Sequence, residues 1–134
     1  MATIKSFSDL EQSKVLSKTL PLESADYTRL GKDEDNVLTR SYFESCSSVL
    51  KEWIGKDEIY PCWSLAVLLE QLPYELCDDD GNSVYLQINK EDDVYQLVYE
   101  DPYGDFESIE TDRYEHFIDA CVDMIEKLHE LKML

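Results

Sequence analysis

The period of the apolar residues changes along the chain, from helical to alternating near residue 83 and back to helical near residue 113. Ser8 followed by Glu11 has the spacing of a capping box, in which each side chain satisfies an orphan backbone donor of the other's turn. It predicts a first helix over 9–19, with Leu10, Val15 and Leu16 as core candidates and Pro21 as its stop. Residues 22–37 are polar, interrupted by Gly31 and an acidic run, and read as a surface loop. Leu38, Tyr42, Cys46, Val49, Leu50 and Trp53 recur at helical spacing. The serines at 41, 45, 47 and 48 offer the backbone competing hydrogen bonds, so a strand over part of 39–50 stays open as the alternative to a helix over 38–53.

Ser64 is a plausible N-cap for the run LAVLLEQL, closed by Pro73. Its leucines form one stripe and Ala66 and Val67 make the rest apolar, the pattern of a helix buried all round at the centre of the core. Beyond it Val84, Leu86 and Ile88 alternate with Tyr85 and Gln87, and Tyr95, Leu97 and Tyr99 alternate with Val94, Gln96 and Val98. These β-branched and aromatic runs predict strands, joined at Asn89–Asp92 and at Asp101–Gly104, with a third strand over 105–110. Asp112 and Glu115 resemble a second capping box. Tyr114, Phe117, Ile118, Cys121, Ile125, Leu128 and Lys132 follow at 3/4 spacing and predict an amphipathic helix over 113–131. The expected fold is therefore α+β and a single domain over 1–134. N-terminal helices would precede an antiparallel three-stranded meander, and the long C-terminal amphipathic helix would pack on that sheet.

Charge sharpens this picture. The net charge is −18, but residues 1–69 carry only −3 and residues 113–134 only −2. Residues 70–112 hold fourteen acids against the single base Lys90, a net charge of −13. Such a field repels phosphate backbones and anionic lipid, so no direct nucleic-acid partner and no membrane are expected. No apolar run reaches the roughly 18 residues of a membrane span. The first residues lack the apolar centre of a signal peptide, which makes the cytoplasm the expected location.

Chemistry-bearing patterns are weak. Cys46, Cys62, Cys77 and Cys121 form no C-x-x-C unit and read as reduced small hydrophobes. His116 and His129 would lie on nearly opposite sides of one helix. An EF-hand loop with Gly81 at its sixth position would place Leu76 and Gln87 where acids are needed. No phosphate-binding glycine loop and no nucleophile motif is present, so no cofactor is expected and the chain reads as a non-enzyme. In an antiparallel meander, however, Asp78, Asp79 and Asp80 fall at the same end as Glu100, Asp101 and Asp105, with Glu91, Asp92 and Asp93 at the other end.

Tyrosines suit interfaces because they bury area at little rotamer cost, and Tyr85 and Tyr103 lie among these acids. Asp78, Asp79, Asp80, Tyr85, Glu100, Asp101, Tyr103 and Asp105 are thus the candidate partner-binding residues, for a basic protein partner. A divalent-cation or small-ligand protein, or a small enzyme, is the alternative. Charge clustered at turns disfavours a duplex mimic, which needs rows of charge along one face. Composition says nothing of oligomeric state.

The strings IYPCWSLAVLLEQLP (59–73) and DACVDMIEKLHELKML (119–134), with LEQSKVLSKTLPLESADY (10–27), resemble a family of small acidic proteins of gut anaerobic bacteria and their mobile elements. The resemblance implies a cytoplasmic α+β protein without enzymatic activity, and it assigns no site residue.

Overall fold

A computed structural model describes residues 5–30, 37–39, 59–101, 103–104 and 107–134, and in it helices and antiparallel strands combine into an α+β fold with two sheets. The chain divides into two compact units, Ser6–Val67 and Leu68–Leu134 together with Lys5.

In the first unit α1 (Leu10–Thr19) is capped by Asp9 and Gln12 rather than by Ser8 and Glu11. Gln12 N–H donates to Asp9 Oδ1 at 2.8 Å, and Asp9 N–H donates to Gln12 Oε1 at 3.0 Å. Ser8 is unavailable as a cap because it is buried. Its hydroxyl sits 2.8 Å from Ser13 Oγ and accepts the Trp63 N–H at 3.1 Å. A short 3₁₀ turn (Leu22–Ser24) leads into β1 (Tyr27–Leu30), where the polar pattern predicted loop. The strand owes its existence to partners far along the chain, β2 (Val37–Thr39) on one side and β3 (Ile59–Cys62) on the other. Among the described residues β3 pairs on one side only, with β1, and at such a position the N–H that Pro61 lacks need break no ladder bond. Leu38 and Thr39 belong to β2; the remainder of the 38–53 expectation lies outside the described residues.

Helix α2 (Leu65–Gln71) carries the chain from the first unit into the second. Ser64 Oγ accepts the Val67 N–H at 3.4 Å, as expected of an N-cap. The helix is not buried all round: Leu68 and Leu72 are buried beside an exposed Ala66, so its short apolar run serves one side.

The second unit holds a four-stranded sheet in sequence order, β4 (Glu75–Cys77), β5 (Ser83–Glu91), β6 (Val94–Tyr99) and β7 (Ile109–Glu110), every neighbouring pair antiparallel. The expected three-stranded meander is thus one strand short, because β4 has three residues and only Leu76 buried, too little for an alternating signal. Glu91 pairs with Val94, so the β5–β6 loop is Asp92–Asp93 rather than Asn89–Asp92. Both aspartates have positive φ, 49° and 62°, as a two-residue type I′ hairpin demands.

Helix α3 (Phe117–Glu130) packs against β6 and buries Ile118, Cys121, Met124, Ile125 and Leu128. It starts four residues later than 113, because Thr111 to Tyr114 are held along β6 instead. Thr111 N–H donates to Leu97 O at 3.0 Å, and Tyr95 and Tyr114 exchange backbone hydrogen bonds at 2.7 and 2.9 Å. At its other end Lys132 takes φ 60°, with Lys132 N–H on His129 O and Met133 N–H on Leu128 O, the paired bonds of a Schellman stop.

Candidate interaction surface

Fourteen acids in residues 70–112 must go somewhere, and the sheet sends them to water. Eleven are exposed, Asp78 and Asp101 are half-buried, and Asp105 lies outside the described residues. Ion pairs between described residues include Lys5–Asp119 at 2.7 Å, Glu11–Lys14 at 3.7 Å and Asp123–Lys127 at 3.0 Å.

Asp78 builds the β4–β5 turn. Its carboxylate accepts from Asp80 N–H, Asn82 N–H and the Asn82 side-chain amide at 2.8–3.0 Å, and Gly81 takes the positive φ of 85° the turn requires. These hydrogen bonds, that of the Asn82 side chain foremost, hold the Asp78 carboxyl below its ordinary value. Asp79 and Asp80 stand exposed on the same turn. Asp101 plays a similar part after β6, accepting the Tyr103 N–H at 2.8 Å and leaving the Tyr103 ring 87% exposed. Register confirms that the start of β5 lies beside the end of β6, since Leu86 pairs with Tyr99. Glu100 is exposed just past that pair.

Tyr85 faces outward from β5, 48% exposed, opposite Glu75 and 5.2 Å from the ring of Tyr74, itself 74% exposed. This aromatic pair on an acidic sheet is the feature closest to the expected mixture of tyrosines and acids.

A cleft of about 600 Å³ opens between the Asp78 turn, residues 107–110 and the end of α3. Asp78, Glu107, Glu110 and Glu130 surround it with carboxylates, Lys127 adds one cation, and Ile109, Leu131 and Met133 supply apolar wall. The Asp123 carboxylate, hydrogen-bonded to its ammonium, raises the Lys127 pKa and keeps it charged. A turn carboxylate held ionised and an ammonium held charged offer fixed charge rather than a group poised to move a proton. Of the candidate residues that the structure describes, only Asp78 reaches this cleft. Glu107, Glu110, Lys127 and Glu130 carry no local signal of this site, because which strand end meets the end of α3 is a tertiary fact. Among the described residues no three His, Cys, Asp or Glu side chains converge as a metal-binding group. The buried thiol of Cys121 is pushed up to about 12 by its apolar surroundings, which keeps it protonated at neutral pH. Among the described residues no helix is long and apolar enough to cross a membrane. Comparison with protein-family models, with curated proteins and with solved structures gives no match to this chain in any of the three.

Proposed function

We propose that the chain is a non-catalytic acidic interaction protein of the cytoplasm that binds a basic protein partner through the sheet of the second unit. The observation that carries the reading is the exposure of eleven of the fourteen acids on one small sheet unit, in a stretch with one lysine. The cleft beside Asp78 suits the chemistry of a lysine or arginine side chain, whose stem would lie on Ile109, Leu131 and Met133 while its head meets the carboxylates. Membership among the small acidic proteins of gut anaerobic bacteria and their mobile elements belongs to the same proposal.

Affinity capture from the native cell with the wild-type chain, and with Asp78→Lys, Glu107→Lys and Glu110→Lys combined, tests it. A basic protein should be retained at low salt, released at about 0.5 M salt, and lost by at least tenfold from the charge-reversed chain. A partner retained equally under all three conditions would remove the acidic surface from the explanation.

A further inference from the structure

Strand β5 is flanked unevenly. Its first residues, Ser83–Tyr85, pair with β4, and Leu86–Glu91 pair with β6. On the β4 side the last bond is Leu86 N–H to Tyr74 O at 3.0 Å. Past Leu86, no strand among the described residues pairs with that side of β5. Residues two apart in a strand aim their backbone groups at the same side. Ile88 and Lys90 therefore point N–H and C=O away from β6, at an open edge in line with β4. Gln87 to Glu91 are all exposed, and Ile88 is 51% exposed although it pairs with the wholly buried Leu97.

Proteins usually blunt such an edge with a lysine or a bulge. Here the one lysine is turned the other way, its ammonium 5.3 Å from the centre of the Tyr95 ring on β6. Arg113 belongs to the segment that follows the far side of β6, and it lines a cleft with Ile88, Asn89, Lys90, Glu91, Val94 and Gln96, so one further cation stands beside this strand. The edge is bracketed by acids, Glu75 at one end and Glu91, Asp92 and Asp93 at the other, with the exposed Tyr74–Tyr85 pair beside its start.

We propose that β5 receives an extended, basic segment of the partner protein as an added strand, paired to the backbone groups of Ile88 and Lys90. This rests on the acidic-docking reading and gives it a mode: main-chain pairing supplies the register, and the flanking carboxylates select positive side chains. A second copy of this chain, of net charge −18, is the wrong occupant for an acid-bracketed edge.

The test uses the full chain and a capped eight-residue peptide of alternating valine and lysine. Its companion is the same peptide N-methylated at every second residue, which cannot pair. At low salt the plain peptide should slow amide exchange at Ile88 and Lys90 by at least tenfold. The methylated peptide should bind at least tenfold more weakly. Ile88→Pro removes an outward N–H without taking a bond from the β6 ladder and should weaken the plain peptide equally; if that variant does not fold, the methylated peptide alone decides. Equal binding of both peptides, or binding that leaves the Ile88 and Lys90 amides unchanged, overturns strand addition while the acidic-docking reading stands on its capture experiment. No binding of the plain peptide overturns strand addition as well. A dimer of the free chain with these two amides already protected assigns the edge to a second copy and overturns it too.

Discussion

The two units are held together by different means. Ser6–Val67 gathers polar side chains around Trp63, whose N–H donates to the buried Ser8 hydroxyl and whose indole donates to Ser24 Oγ at 2.9 Å. Beside it the Asp26 carboxylate accepts both the backbone N–H and the hydroxyl of Ser64, at 2.9 and 2.5 Å. Leu68–Leu134 instead lays the apolar face of α3 on β6, with Ile118, Cys121, Ile125 and Leu128 fully buried along with Leu97 and Tyr99. Each such side chain contributes roughly 1.5–3 kcal/mol by leaving water. The comparison teaches where charge can be concentrated. A continuous apolar core leaves the turns and outer face of its sheet free to carry acids, whereas polar groups in a buried network each need a partner.

Alkali should break the second unit with the largest effect. Tyr99 and Cys121 are pushed up to about 12 by burial, from ordinary values of 10 and 9. Tyr114 is also raised to about 12, by burial first and then by Asp123, which accepts its hydroxyl at 3.0 Å. The folded chain keeps these protons while the unfolded chain loses them. Stability is therefore flat below pH 9 and falls as pH rises from 9 to 12, by roughly 5 kcal/mol for Tyr99 and Cys121 together. Denaturant unfolding at stepped pH would show the fall, and Tyr99→Phe and Cys121→Val should each flatten it. An unchanged slope in both variants would sink the assignment.

The first unit should be most sensitive at Trp63. Trp63→Ala removes a wholly buried ring and its two donors' geometry, at a cost of about 3–5 kcal/mol by chemical denaturation. Asp26→Ala strands two donors of Ser64 and should cost about 1.5–3 kcal/mol. If Asp26→Ala proved neutral, the contrast between a polar-braced and an apolar-braced unit would fail.

What could be read from the sequence follows the same division. The second unit was largely legible, because β5, β6 and α3 each have a period matching one buried face. The helix start was misplaced since Thr111 to Tyr114 pair with β6, and no local residue announces that pairing. The first unit was poorly legible. Its strand β1 contains Thr28 and Arg29 and exists through pairing with Pro61 and Tyr60, more than thirty residues away. Ser8 looked like a cap because a buried serine with a distant tryptophan partner has the same local sequence. The candidate site was legible as composition, not as geometry. Asp78–Asp80, Glu100 and Asp101 were placed at one end of the sheet by topology alone. Pairing Asp78 with Glu107, Glu110 and Glu130 required knowing where α3 ends.

The smallest effect tests whether the acids of the second unit are all equally tolerated. Glu126 on α3 has its pKa raised by burial first, then by Asp123 and Glu130, with Lys127 opposing. Asp123 and Glu130 stand three and four residues away, the helical spacing at which like charges repel. Because the folded chain holds the Glu126 proton more tightly than the unfolded chain, it loses stability as pH rises above the ordinary value of 4.5. Glu126→Gln should therefore stabilise the chain by about 0.5 kcal/mol at pH 7 and by nothing measurable at pH 3. Gln substitution of Asp79 or Asp80, exposed on a hydrated turn, should leave stability unchanged at both. Equal gains at all three sites would mean that net charge alone matters, and that the placement of acids at sheet ends does nothing to relieve it.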